Sequence, residues 1–162
     1  MRTFFLLIFT FATYIASAQE AKLYTPEANA AKDIAAAVKL AKATNKYVLI
    51  QAGGNWCTWC IEFARFAKTD PAIDSVMRAS FIWYHLNYSK ENENKAMFAK
   101  LGYPQRFGYP VFIVLNDKGE RIHTQNSEYL ENRKAGYDQR KVQSFLEMWS
   151  PRVLTPAIWG DK

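Results

Sequence analysis

Hydrophobic positions along the chain switch between helical and strand spacing, and the switches mark out its elements. From Ala28 to Thr44, Ile34, Val38 and Ala41 recur at helical intervals in an Ala- and Lys-rich stretch, which predicts a helix ended near Asn45. Tyr47-Val48-Leu49-Ile50 is an apolar run of strand length and reads as a buried strand, closed by Gly53-Gly54-Asn55. Cys60 to Lys68 reads as a second helix, stopped by Thr69-Asp70-Pro71, where Pro71 opens a short third helix. Ser80 to Tyr88 is aromatic and aliphatic throughout, the pattern of a central strand. Glu91 to Leu101 predicts another helix with Gly102 as its stop. Val111 to Leu115 is a fully apolar strand, and Asn116-Asp117-Lys118-Gly119 is turn chemistry leading into a strand over Glu120 to Thr124, so the pair predicts a hairpin. Asp138 caps a last helix that runs to Trp149 and stops at Ser150-Pro151. Strands connected through helices, then a hairpin, predict an α/β fold with a mixed sheet covered by helices on both faces.

The start of the chain follows a different pattern. Met1-Arg2-Thr3 is a short positive start, Phe4 to Ile15 is mostly apolar, and Ala16-Ser17-Ala18 offers small residues for cleavage. These are the three parts of a secretory signal peptide over residues 1–18. The apolar run is shorter than the roughly 20 residues a membrane-spanning helix needs. The expected mature domain is 19–162, periplasmic or secreted, with no stable membrane insertion after cleavage. No Cys follows the cleavage site, which argues against a lipid anchor.

Composition narrows the function classes. A chain of 162 residues, 49% hydrophobic and 22% charged, fits one globular domain and excludes collagen-like or strongly disordered classes. The net charge of +6 falls to +5 without Arg2 and is spread without a basic cluster, so nucleic-acid binding is not expected. Asn87-Tyr88-Ser89 fits the N-glycosylation acceptor pattern. Ser127 to Gly136 reads as a polar surface loop, and the tail from Pro151 to Lys162 as a segment that docks on the body. His85 and His123 have no sequence neighbours that point to catalysis and read as structural or surface residues.

With 2 Cys and 2 His, the chain lacks the supply for several disulfides or a self-contained zinc site, so the cysteines act as one pair. They fall in Trp56-Cys57-Thr58-Trp59-Cys60, between a predicted buried strand and a predicted helix. That context suits redox chemistry. A thiolate attacks, and a helix N-terminus supplies partial positive charge and free N–H groups to the first cysteine. The second lies one turn on, placed to attack a mixed disulfide. Ile61 rather than His follows Cys60, which excludes covalent c-type haem attachment. No metal and no organic cofactor are indicated.

These residues resemble the thioredoxin superfamily, and the likeness covers nearly all of the mature chain. Trp56 to Cys60 looks like the family's W-C-x-x-C after an apolar strand. The run Gly108 to Val114, followed by Asn116 to Gly119, looks like its cis-proline segment. The resemblance implies a thioredoxin-like fold with Cys57 as exposed nucleophile, Cys60 as buried resolving cysteine and Pro110 as a cis residue. It also implies that the Tyr109 backbone pairs with an extended substrate segment.

The chain departs from the family at Gln51, where many thioredoxins carry a buried Asp that aids proton transfer; an amide cannot titrate. Glu62 and Arg65 on the following helix read as solvated face rather than as its replacement. The pair Thr58-Trp59 resembles exported bacterial thioredoxin-like proteins with C-x-W-C. Trp56 and Trp59 flank the sulfurs with apolar surface; substrate contact is expected of Trp59 more than of Trp56, which is expected to pack.

The expected function is an exported thiol–disulfide oxidoreductase acting on protein thiols and disulfides, a reductase or interchange enzyme rather than a strong oxidase. A membrane thiol relay is the electron donor the resemblance implies, and a monomer is expected. The alternative is a redox-inactive thioredoxin-like module that binds proteins through the Tyr109-Pro110 groove.

Overall fold

A computed structural model describes residues 22–160, so the expected signal peptide lies outside the described residues. The chain runs α1 (Ala30–Ala43), β1 (Tyr47–Gly53), α2 (Thr58–Thr69), α3 (Pro71–Ser80), β2 (Phe81–Asn87), α4 (Lys95–Lys100), β3 (Val111–Leu115), β4 (Arg121–Asn126) and α5 (Gln139–Met148). Short 3-10 turns cover Pro104–Phe107, Ser127–Leu130 and Pro156–Trp159. The four strands form one mixed sheet in the order β2-β1-β3-β4. β1 pairs parallel with β2 and antiparallel with β3, and β3–β4 is the expected antiparallel hairpin.

Alternation along the strands sorts side chains into two cores. Val48, Ile50 and Ala52 of β1 join Leu86, Val111, Ile113 and Leu115 beneath α1 and α4. Leu49, Phe112 and Val114 face the other way and pack with Phe63 of α2, Ile73 and Met77 of α3, and Val142 and Leu146 of α5. Gln51 shares the α2 face by the same two-residue period. Its parallel partner in register is His85. No helix among the described residues is long and apolar enough to cross a membrane.

Local chemistry sets the helix starts. Asn29 caps α1, Asp70 caps α3 and Asp138 caps α5, each with a side-chain oxygen accepting backbone N–H groups of the first turn. The helix expected from Glu91 begins only at Lys95. Asparagine chemistry wins there: Asn92 Oδ1 accepts from Asn94 N, Asn92 Nδ2 donates to Pro26 O, and Asn94 sits at φ 48°. Side chains that bond the nearby backbone in this way compete with helix formation. Asn94 Nδ2 also donates to Asn87 O, which ties the loop to the end of β2.

Other expectations shift in the same physical way. β1 continues past Ile50 because it is bonded on both sides, through Ala52 to β3 and through Gly53 to β2. The polar stretch from Ser127 holds a 3-10 turn with buried Ser127 and Leu130, and Glu131 bridges to Tyr137. In the tail, Trp159 is 68% exposed and donates its indole N–H to Val153 O, so the segment folds on itself instead of seating that ring in the body. Asn87 is buried, its amide donating to Asn92 O and Ser89 Oγ, so the glycosylation pattern falls on an inaccessible side chain. His123 stacks on Trp149 with ring centroids 4.0 Å apart, and His85 lies between Tyr24 and Trp83.

Candidate active site

The site forms where β1 hands over to α2. Cys57 is the N-cap residue of α2, in extended conformation. Cys60 sits inside the first turn, and the two form a disulfide with Cα atoms 5.2 Å apart. The backbone N–H of Cys60 donates to Cys57 Sγ at 3.2 Å. An N-cap position adds the unpaired N–H groups and partial positive charge of a 12-residue helix, which favour a thiolate over a thiol there. Cys57 is the more accessible of the two, yet only 6% exposed, and Cys60 is fully buried. Attack from outside therefore meets Cys57 first.

The surrounding wall is aromatic. The Tyr109–Pro110 peptide bond is cis, and Tyr109 packs against the cluster formed by Tyr24, Cys57 and Cys60. Trp56 stands edge-on to Tyr109 at 5.5 Å, and Tyr109 stacks on Tyr88 at 5.2 Å. The Trp56 indole N–H donates to Tyr88 O at 2.7 Å, yet the residue is 57% exposed. Gly54 makes this bond possible, because a Cβ there would lie 2.4 Å from Trp56 Nε1 and 2.6 Å from Tyr88 O. Trp59 is half-buried, edge-on to Tyr137 at 5.6 Å, and Tyr137 donates its hydroxyl to Trp59 O. The exposures of the two tryptophans thus run opposite to the expectation that Trp56 packs and Trp59 reaches outward.

Beneath Cys60 lies a polar floor built on an amide. Gln51 is fully buried, and its Nε2 donates to Cys60 O at 2.8 Å and to the Tyr24 hydroxyl at 2.9 Å. Its Oε1 is buried and has no hydrogen-bond partner among the described residues. Tyr24 is itself fully buried, and burial pushes its hydroxyl pKa far above the usual tyrosine range. Asn55 fixes this residue from the active-site loop: Oδ1 accepts Tyr24 N–H at 3.0 Å and Nδ2 donates to Tyr24 O at 2.8 Å. Glu62 and Arg65 pair with each other on the outer face of α2. Burial also holds His85 neutral, its pKa pushed down to about 4.

The structure thus brings Trp56, Cys57, Trp59, Cys60, Tyr109 and Pro110 to one end of the sheet. Three partners are invisible to motif reading. Tyr24 is separated from Asn55 by 31 positions, and Tyr88 and Tyr137 reach the site from other elements. A lone aromatic in the small and polar segment ahead of α1 is the one sequence signal that singles out Tyr24.

A thioredoxin-like family model matches residues 28–117, a span that includes the cysteine pair and the cis-proline. The chain belongs to the thioredoxin-like family and is a thiol–disulfide oxidoreductase, with its cysteine pair disulfide-bonded at the junction of β1 and α2. No curated protein matches the sequence. Among solved structures it is similar to a disulphide isomerase from Xylella fastidiosa Temecula1, with a TM-score of 0.69 and 22% identity over 80% of this chain and 97% of that one. It is also similar to the oxidised DsbD C-terminal domain of Neisseria meningitidis, with a TM-score of 0.55 and 20% identity over 75% and 97%. The reduced form of that domain aligns with a TM-score of 0.51, at 20% identity over 74% and 96%.

Proposed function

We propose that this protein is exported and exchanges its Cys57–Cys60 dithiol with protein disulfides, as a reductase or interchange enzyme rather than a strong oxidant. In the reducing direction Cys57 thiolate attacks a substrate disulfide, and one substrate sulfur leaves as a thiolate. Cys60 then attacks Cys57 Sγ of the mixed disulfide, expels the second substrate sulfur and closes the Cys57–Cys60 bond. The substrate gains two electrons and two protons, and the enzyme's dithiol becomes a disulfide. The extended segment flanking the substrate sulfur lies along the Tyr109 backbone at Pro110, with Trp56 and Trp59 as apolar flanks.

The observation that carries this reading is Cys57 at the N-cap of α2 with its sulfur held by the Cys60 N–H. The mild direction is supported by what packs on the sulfurs: the apolar bodies of Tyr24, Leu23, Trp59 and Tyr109 lie against the cysteine pair, and the polar group bonded to Cys60 O is the amide of Gln51. A thiolate stabilised by a helix terminus alone gains less than one beside a cation, and a strong oxidant needs a strongly stabilised reduced form. The similar structures named for a disulphide isomerase and for the DsbD C-terminal domain support the same chemistry. The three-part pattern of residues 1–18 supports a cleaved leader, and the resemblance implies a membrane thiol relay as the supply of electrons.

Disulfide reduction with dithiothreitol as electron source tests the activity. Wild type is expected to accelerate it, and Cys57→Ser to fall to background. Equal rates in both proteins refute the enzyme and favour a binding module at the Tyr109-Pro110 groove. A reduction potential near roughly −270 mV fits a reductase, whereas one near −120 mV overturns the direction. N-terminal sequencing of exported protein is expected to begin at Gln19.

A further inference from the structure

Cys60 performs the second half of the exchange from a fully buried position. To do so its thiol must lose a proton, and the resulting thiolate must be held away from water, where an unpaired charge is costly. The strand position beneath it is the amide Gln51, bonded to Cys60 O and unable to titrate. A hydroxyl is present instead. A methyl group on Gly53 would lie 2.3 Å from Cys60 Sγ and 2.9 Å from the Tyr24 hydroxyl oxygen, so sulfur and hydroxyl converge on one point of the β1 backbone. The Tyr24 oxygen already accepts from Gln51 Nε2, which orients its own proton away from the amide. In the disulfide state that proton has no oxygen acceptor among the described residues. The segment is fixed on both sides by Asn55 and by the edge of the His85 ring at 5.5 Å.

We propose that Tyr24, oriented by Gln51, donates its hydroxyl proton as a hydrogen bond to the Cys60 sulfur once the disulfide opens, and so holds the resolving thiolate. The inference rests on the thiol–disulfide reading above and adds to it a residue outside the cysteine motif. In the step concerned, the Cys57–substrate S–S bond breaks and the Cys57–Cys60 bond forms. The substrate sulfur leaves with the electron pair, and the proton given up by Cys60 goes to solvent, from which the leaving thiolate is protonated. Tyr24 keeps its proton throughout, as its raised pKa requires. Titratable members of the cluster around the sulfur are Cys57 on its own turn, Tyr24 ahead of α1 and Tyr109 before β3, with His85 of β2 behind the Tyr24 ring and Tyr88 and Glu93 acting on Tyr109. Tyr137 and Lys68 lie further out and act on Tyr24 and His85 respectively.

The test is rapid mixing of reduced full-length protein with glutathione disulfide, which separates attack by Cys57 from resolution by Cys60. Tyr24→Phe keeps the ring and removes the donor. Attack is expected at the wild-type rate, while resolution slows about tenfold or more, the rate equivalent of one hydrogen bond to a charged group. The pH midpoint of resolution is expected to rise by about one unit. In the double variant Tyr24→Phe/Gln51→Glu, a titratable group at the same spot is expected to recover part of the rate, which no packing role of the hydroxyl would produce. Wild-type resolution and midpoint in Tyr24→Phe overturn the proposal. Should that variant not fold, Gln51→Met removes the amide that orients the hydroxyl, together with its bond to Cys60 O, and is read in the same way, with an unchanged rate of attack by Cys57 as the control for the turn. If wild type itself attacks glutathione disulfide but never resolves, both this inference and the exchange mechanism fall; if only Tyr24→Phe behaves as wild type, the mechanism stands and the inference alone falls.

Discussion

Replacing Gly53 by alanine puts a methyl carbon into the most crowded point of the site. An ideal Cβ there lies 2.3 Å from Cys60 Sγ, 2.9 Å from the Tyr24 hydroxyl oxygen and 3.3 Å from Tyr24 Cζ. Favourable non-bonded carbon contacts lie at about 3.5–4.0 Å, so the sulfur or the tyrosine has to move by roughly an ångström. Neither is free to do so. The sulfur is bonded to Cys57, and Tyr24 is held by Gln51 and Asn55. Overpacking of this kind costs about 1–3 kcal/mol. The stiffer unfolded chain of an alanine variant offsets about 0.4–1 kcal/mol of that. The balance is a loss of about 1–2 kcal/mol, or a melting temperature lower by roughly 3–8 °C for a domain of this size. In the reduced protein the Cys60 thiol turns about its own side-chain bond, so the loss is expected to be smaller. If the two redox states differ by about 1 kcal/mol, the reduction potential rises by about 20 mV, because the oxidised form suffers more. Thermal melts in both states and a glutathione redox titration measure the two quantities. An unchanged melting temperature in the oxidised state would refute the crowding, and an equal loss in both states would refute its link to the disulfide.

Three further outcomes follow from the same geometry. Trp56→Ala removes an exposed ring and its edge contact with Tyr109, so KM for a protein disulfide is expected to rise several-fold while thermal stability barely changes; an unaltered KM argues against substrate contact. Asn55→Ala leaves Tyr24 N–H and C=O without their partner and is expected to cost about 1–3 kcal/mol in urea unfolding. His85 is neutral in the folded protein with a pKa near 4, below its unfolded value of roughly 6.5, so the unfolded state binds the extra proton and stability is lost as pH falls from about 6.5 to about 4. That loss is about 2–3 kcal/mol, and the pH dependence of unfolding in His85→Gln is expected to be flatter by this amount.

Most of the architecture follows from local pattern. Val111 to Leu115 and the turn after it define a hairpin without help from the rest of the chain, and Asp70-Pro71 marks a helix start by capping chemistry alone. The start of α4 was not legible, because Asn92 and Asn94 use their side chains on Pro26 O, 66 positions away, and on Asn87 O at the end of β2. The cysteine pair is a contiguous motif that spacing reaches, whereas the cis-proline is reached through the resemblance of the run Gly108 to Val114 to the thioredoxin family. The floor of the site is different. Gln51 reads only as a missing acid until the Tyr24 hydroxyl is seen beside it, and the pairing spans 27 positions. Gly53 and Gly54 read as the end of a strand, whereas each also keeps a side chain's space clear for Cys60 and for Trp56.

The two hydrogen bonds between Asn55 and the Tyr24 backbone stitch the redox loop to the segment ahead of α1. Any tag, linker or fusion partner joined just ahead of Lys22 therefore enters the molecule beside its sulfur chemistry. A protease that trims the opening segment past Tyr24 would leave both cysteines, the cis-proline and the whole sheet in place, yet open the buried side of Cys60 to water. Where the chain is cut at its beginning thus matters to turnover as much as what is changed at its motif.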